Sequence, residues 1–357
     1  MKIIHCADLH LDSKMEGLPP EKSKLRREET LSTFEKLCSF AVTNGVKALI
    51  IAGDMFDTER VTVKTRERVI RAVKSAEDVD FLYLSGNHDD KSFIGEIDLP
   101  ENFKVFGRTW TSFRYGNVNI SGIVTDNRNA DAFYDGLILK KEDFNIVVLH
   151  GQIAGYKSRN QAEIISIPRL KEKNIDYLAL GHIHEYSSGI IDDRGVYVYS
   201  GCLEGRGFDE TGDKGFVLLD TEKGKDGFSF IDFAKRKLYE YNYNVENDSN
   251  FFDTTDKIKS EVKEKFSASS LLKIVIGGKH NADYVVDKDM ITERLSGDFF
   301  FVKTIDKTEL SIKKEDYEND KTILGEFVRE VMESDMENQT KSKVIMCGIK
   351  AFKGEEL

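Results

Sequence analysis

The sequence predicts an α/β fold whose strand-end loops meet at one site, followed by a second, smaller domain. Three observations carry this. Short apolar runs rich in β-branched residues recur through the first two-thirds of the chain, separated by segments of helix length. Runs of that kind are strands buried on both faces. Most of them end in a turn that carries histidine, carboxylate or both. Near Lys235-Arg236-Lys237 the pattern changes, and no further motif of that sort follows.

The first strand is Lys2-Ile3-Ile4-His5-Cys6, and because the N-terminus runs straight into it no export signal is expected. His5 lies inside that strand without a partner in sequence and reads as a hydrogen-bonded core histidine. Apolar periodicity predicts helices over residues 30–42 and 63–73, and strands at Ala48–Ala52 and at residues 81–84, 146–149 and 177–180. Helices are expected on both faces of these strands. Residues 196–200, 216–220 and 228–233, with glycine turns between them, predict an antiparallel run. Beyond residue 237 the pattern predicts a helix at 256–266, strands at 271–276 and 299–303, a helix at 323–332 and an amphipathic segment at 344–352. His280 is expected in a Gly-Gly-Lys-His turn. The division expected is 1–237 and 238–357, the latter a small α+β domain, joined by a short linker in a chain with only four prolines.

The chain has 357 residues, 40% of them hydrophobic, which suits two folded domains. No apolar stretch approaches the length of a membrane span. Its four cysteines show neither paired nor metal-finger spacing, as expected of a cytoplasmic protein. The net charge of −11 makes it a poor general binder of nucleic acid. Any DNA contact must come from local basic patches, from metals or from a partner.

Five of the seven histidines sit in the strand-end motifs. These read Asp8-x-His10, Gly53-Asp54-x-x-Asp57, Gly86-Asn87-His88-Asp89, His150-Gly151 and Gly181-His182-x-His184. Loops at the carboxyl ends of strands in an open α/β sheet converge on one crevice. Asp8 and His10, two residues apart, can grip one cation from the same side of an extended chain. Asp54 is placed to bridge two cations, with Gly53 allowing close backbone approach. Asn87 offers an amide oxygen, and His150, His182 and His184 can fill the remaining positions. Imidazole, carboxylate and amide oxygen together suit manganese, iron or zinc better than calcium or magnesium alone, and such a pair of ions points to phosphoester hydrolysis.

In this order the motifs resemble the calcineurin-like metallophosphoesterase superfamily. The flanks narrow the likeness: His5-x-Ala7-Asp8-Leu9-His10-Leu11-Asp12-Ser13, Ile51-Ala52-Gly53-Asp54-Met55-Phe56-Asp57, and Gly201-Cys202-x-x-Gly205-Arg206-x-Phe208-x-Glu210-x-Gly212-x-Lys214-Gly215. They are similar to SbcD-type DNA repair exonucleases, and among these to a YhaO-like bacterial branch. Cys202 departs from the serine or asparagine expected there. The resemblance implies an αββα sandwich core with a C-terminal capping domain. It implies Asp8, His10, Asp54 and His184 around one metal, and Asp54, Asn87, His150 and His182 around the other. Manganese is the ion expected, with iron or zinc as alternatives. It further implies that His88 acts over the phosphate rather than on a metal, its ring oriented by Asp57. The activity implied is a metal-dependent DNA exonuclease or endonuclease working with an SbcC-like coiled-coil ATPase, and a homodimer is compatible with it. The alternative is a phosphodiesterase for cyclic nucleotides or other small esters.

Arg60, Lys64, Arg68 and Arg71 recur along one helix stripe beside the Asp54 loop, where a DNA backbone contact and a solvated face are equally expected. Arg60 and Lys64 of that stripe, with Arg206 of the third flanking motif, are the candidate substrate contacts. Lys22, Lys24, Arg26 and Arg27 form a second basic patch in an expected early loop. Tyr239, Tyr241 and Tyr243 alternate as packing residues of a strand. Ile345, Met346, Ile349 and Phe352 make an apolar stripe, read first as docking on its own domain and second as a surface for the ATPase.

Overall fold

Every apolar run of the first two-thirds forms a strand in the computed structural model, which describes residues 1–57, 61–86, 89, 99–125, 133–154, 164–245, 251–280, 286–310, 317–318 and 320–353. The chain divides into two units, Met1–Lys237 and Leu238–Leu357. The first begins with β1 (Lys2–Cys6), α1 (Pro20–Thr43), β2 (Ala48–Ala52), α2 (Val63–Lys74), β3 (Asp80–Leu84) and β4 (Phe103–Val105). It continues with β5 (Thr111–Tyr115), β6 (Val118–Gly122), β7 (Phe144–His150), the short β8 (Gln152–Ile153) and β9 (Ile164–Ile165), and β10 (Tyr177–Gly181). Then come β11 (Ser187–Ile190), β12 (Val196–Tyr199), β13 (Gly215–Asp220) and β14 (Phe228–Asp232).

These strands make two six-stranded sheets, ordered β14-β13-β1-β2-β3-β4 and β11-β12-β10-β7-β6-β5. In the first, β1 to β4 are parallel neighbours, and β13 pairs antiparallel with β1. In the second, β12, β10, β7 and β6 run parallel. β2 is buried along its whole length. Leu49 and Ile51 face Phe34, Leu37 and Val69 of α1 and α2. Ala48, Ile50 and Ala52 pack instead on Ile146, Val148 and Ala179 of the other sheet. The expectation of helices on both faces is thus corrected: one face of β2 meets helices and the other meets a second sheet. Continuous hydrophobicity reports that both faces are covered, not by what.

α1 begins ten residues before the predicted start and runs from Pro20, whose ring suits the first helical position. Its inward stripe opens with Arg26, Glu29, Thr30 and Thr33 before reaching Phe34, Leu37 and Ala41. Polar residues at the buried positions hide this part of the helix from apolar periodicity. The expected loop patch is corrected accordingly. Arg26 is fully buried, donating to Glu29 Oε2, Glu204 Oε2 and the Gly205 carbonyl at 2.9 Å each. His5 is the core histidine expected: it is buried, its Nδ1 lies 2.9 Å from the Tyr177 hydroxyl, and burial lowers its pKa to about 3.

In the second unit, β15 (Leu238–Val245), β16 (Leu271–His280) and β17 (Phe301–Asp306) are parallel neighbours, and β18 (Glu309–Leu310) pairs with the end of β16. The intervening helices α3 (Phe251–Lys265) and α4 (Lys288–Ser296) bury Ile258, Val262, Ile291 and Leu295 against Leu272, Ile274 and Val302. Tyr241 belongs to this core, with Tyr239 and Tyr243 packed on it. His280 ends a strand rather than occupying a turn. The last two helices, α5 (Ile323–Glu333) and α6 (Asn338–Lys353), pack through Val328, Val331, Ile345 and Ile349. Gly348 permits this approach, since a Cβ there would lie 2.1 Å from a Phe327 ring carbon. Ile345 and Ile349 therefore serve the helix pair, while Met346 and Phe352 are exposed. Among the described residues no helix is long and apolar enough to cross a membrane.

Candidate metal centre

Parallel pairing sets the carboxyl ends of β1 and β2 side by side in one sheet and those of β7 and β10 side by side in the other. Beyond β1 and β2 the pairing continues into the loops: Asp8 N donates to Gly53 O at 3.0 Å, His10 N to Asp54 O at 3.0 Å, and Leu11 N to Met55 O at 2.9 Å. β7 and β10 bring His150 and the 182–184 turn from the facing sheet. Hydrogen bonds join the sheets here. His150 Nδ1 lies 2.9 Å from Ala52 O, and His182 N donates to both oxygens of Asp8 at 3.0 Å. Gly53, at φ 98°, is required by this closeness, because a Cβ on it would sit 2.0 Å from His150 Nδ1.

Asp8, His10, Asp54 and His182 all have positive φ, at 52°, 43°, 49° and 90°. Such conformations cost of order 1–3 kcal/mol each and persist where the surroundings impose them, commonly at functional sites. Nothing in the motif spacing announces this strain.

Two groups of donor atoms result, each within 4.8 Å of one another: Asp8, His10 and His184, and Asp8, Asp54 and His150. Asp8 belongs to both groups. Asp54 Oδ2 is 3.9 Å from His10 Nε2 and 3.4 Å from His150 Nε2, and so lies between histidines of the two groups. His182 contributes its backbone N–H to Asp8, and its ring centroid is 5.3 Å from that of His150. Asn87, His88 and Arg60 lie outside the described residues.

This donor set fits divalent cations. His10 and His184 have their Nε2 atoms only 3.2 Å apart. His184 Nδ1 faces Glu210 Oε1 at 2.7 Å, and His10 Nδ1 faces Asp57 Oδ1 at 3.1 Å. A carboxylate at Nδ1 holds the proton on that nitrogen and leaves an Nε2 lone pair. Two such lone pairs at this separation need a proton or a cation between them. Asp8 and Asp54 are each 1% exposed, and two buried carboxylates likewise call for positive charge.

Titration behaviour agrees. Burial, with help from Asp54, pushes the Asp8 carboxyl up to about 7, against the opposing charges of His150 and His184. Burial alone would lower the His150 pKa, but its hydrogen bond to Asp54 and the charges of Asp54 and Asp8 raise it to about 9. A cation binding here must displace those protons.

The motifs anticipate only part of the surroundings. Asp57, held down to about 2 by hydrogen bonds from His10 and Ser13 despite its burial, also lies 3.3 Å from Arg206 Nη1. Arg206 reaches the site but is engaged by Glu210 at 2.8 Å. Lys64 is two-thirds exposed and pairs with Glu28 at 2.5 Å, and Arg68 pairs with Glu28 and Glu35 at 2.6 Å. Glu210, Lys214 and Asp89 stand within the motifs, yet sequence reasoning gives them no role. Lys214 Nζ donates to the His184 carbonyl at 2.8 Å. Asp89 accepts from Phe56 N at 2.9 Å and Gly86 N at 2.6 Å, fastening the β3 loop to the Asp54 loop. A carboxylate at the end of a histidine-bearing motif is the signal that could have found it. Cys202 is buried with its Sγ 3.5 Å from the His184 carbonyl, a weak donor where serine or asparagine is expected.

Comparison with known proteins adds the following. A model of the calcineurin-like phosphoesterase family matches residues 1–186. The uncharacterized metallophosphoesterase YhaO of Bacillus subtilis is 28% identical over 64% of this chain and 60% of its own length. The chain thus spans about three-fifths of that relative. The DNA double-strand break repair protein Mre11 of Sulfurisphaera tokodaii is 23% identical over 81% of this chain and 76% of its own. Among solved structures, a dimetal phosphatase from Danio rerio aligns with a TM-score of 0.40 at 10% identity, over 61% of this chain and 91% of that one.

Proposed function

The chain belongs to the calcineurin-like phosphoesterase family, and on that basis we propose that it is a metal-dependent DNA nuclease using two divalent cations. The observation that carries the reading is the pair of donor groups sharing Asp8, with Asp54 between His10 and His150. Bound cations would supply an activated water and neutralise charge on the phosphodiester oxygens. Asp8, His10, Asp54 and His184 are assigned to one cation, and Asp54, Asn87, His150 and His182 to the other. Among the described residues, hydrogen bonds hold several of those donors in place. The Ala52 carbonyl and the Glu210 carboxylate fix the tautomers of His150 and His184, and the Asp57 carboxylate faces His10 Nδ1 at 3.1 Å. His88, beside Asn87 in the sequence, is assigned proton donation to the leaving oxygen. Manganese is the proposed ion, since imidazole donors suit it better than magnesium.

DNA is favoured over small esters by the extent of the Mre11 match. It covers 81% of the chain, more than the phosphoesterase unit alone can account for. The unit Leu238–Leu357 is accordingly assigned a capping role, and an SbcC-like ATPase is the proposed partner. The net charge of −11 and the pairing of Lys64 and Arg68 with Glu28 and Glu35 favour the second reading, a phosphodiesterase for cyclic nucleotides or similar esters.

Labelled linear duplex and single-stranded DNA, and a cyclic nucleotide, incubated in parallel with manganese or magnesium separate the two. Degradation of DNA that is faster in manganese is expected. Hydrolysis of the cyclic nucleotide with DNA left intact would reject the nuclease reading.

A further inference from the structure

Sequence marks Arg206 as a candidate substrate contact, but the geometry gives it other work. We propose that Arg206 is a positioning residue, a clamp joining the two carboxylates that orient His10 and His184. The inference rests on reading the site as metal-binding and goes beyond it, since it concerns how one cation position is held.

The side chains form a closed circuit. His10 Nδ1 is 3.1 Å from Asp57 Oδ1. Asp57 Oδ1 is 3.3 Å from Arg206 Nη1. Arg206 Nε and Nη2 donate to Glu210 Oε1 at 3.1 and 2.8 Å, and its backbone N donates to Glu210 Oε2 at 2.8 Å. Glu210 Oε1 is 2.7 Å from His184 Nδ1, and Arg206 Nη2 is itself 3.3 Å from that nitrogen. The 3.2 Å approach of the two Nε2 atoms closes the ring. The guanidinium fork is thus turned toward two protein carboxylates, and its side chain is only 20% exposed.

Charge requires such a clamp. Asp57 and Glu210 would repel each other if left alone. A planar cation between them offsets that repulsion and fixes the orientation of both carboxylates. The other donor group is built differently, because His150 Nδ1 is held by the Ala52 carbonyl rather than by a carboxylate. Arg206 therefore acts on the Asp8/His10/His184 position and leaves the Asp8/Asp54/His150 position alone.

The test compares metal-free wild type, Arg206→Gln and Arg206→Lys by equilibrium dialysis against Mn²⁺ and by electron paramagnetic resonance of the bound ions. Outer partners of metal-ligating histidines typically change metal affinity by about 10–100-fold. Arg206→Gln should weaken one Mn²⁺ by about that factor and leave the other within about twofold, converting the spin-coupled pair signal into that of isolated Mn²⁺. Arg206→Lys should restore little, because an ammonium cannot span both carboxylates. At saturating Mn²⁺ neither variant should raise KM for bis-p-nitrophenyl phosphate. Unchanged affinity for both ions with a raised KM would overturn the proposal and return Arg206 to substrate contact. If circular dichroism shows Arg206→Gln unfolded, Arg206→Lys decides on the same two readings. A wild type that binds no Mn²⁺ would instead reject the metal-binding reading beneath it.

Discussion

Asp54→Asn is expected to lower kcat on bis-p-nitrophenyl phosphate by on the order of 10³-fold or more, with loss of bound metal. The Asp54 carboxylate is buried between His10 and His150, where in the proposed site it would supply negative charge to both cation positions. An amide of the same shape keeps one oxygen donor but removes the charge. Metal ions contribute several kcal/mol to such reactions, and each factor of ten in rate corresponds to about 1.4 kcal/mol. Rate and metal content measured on the same sample check this. A variant within tenfold of wild type and fully loaded would remove Asp54 from the centre.

Arg26→Ala should cause the largest loss of stability, about 3–5 kcal/mol, the usual consequence of removing one partner from a buried ion pair. Arg26 is fully buried between Glu29 and Glu204, which are themselves buried. Glu29 retains Arg236 and Lys235, and Glu204 retains the Thr33 hydroxyl and Lys235 N at 2.6 Å each. Those contacts do not replace a guanidinium that also caps the Gly205 carbonyl. The chain's single tryptophan, Trp110, lies in the same unit, so urea unfolding followed by its fluorescence reports on this unit directly. A loss below about 1 kcal/mol would show that the neighbouring cations carry the cluster.

The contrast between Asp54 and Arg26 explains what a sequence makes legible. Asp8, His10, Asp54, His150, His182 and His184 each stand in a short motif at the end of an apolar run, and parallel pairing brings such ends together. Arg26 reads as a surface cation because its partner Glu204 is 178 residues away. No local pattern distinguishes a charge turned inward from one facing water. The same distance in sequence conceals the link from Asp57 through Arg206 to Glu210. α1 reads too short for a related reason, its first turns burying polar residues where periodicity looks for apolar ones. Periodicity alone does not show the second sheet, since β2 reads the same whether a helix or a sheet lies on Ala48, Ile50 and Ala52; only the family resemblance implies the αββα sandwich that the two sheets form.

If five strand-end loops build one two-cation phosphoesterase site, metal content and phosphodiesterase rate must rise and fall together. Elemental analysis of chelator-stripped protein, reloaded with Mn²⁺ and desalted, run beside its rate on bis-p-nitrophenyl phosphate, measures both. Active protein should hold two Mn²⁺ per chain, and chelation should remove activity in parallel with metal. Full activity in protein holding less than one equivalent of any divalent metal would contradict a two-cation site.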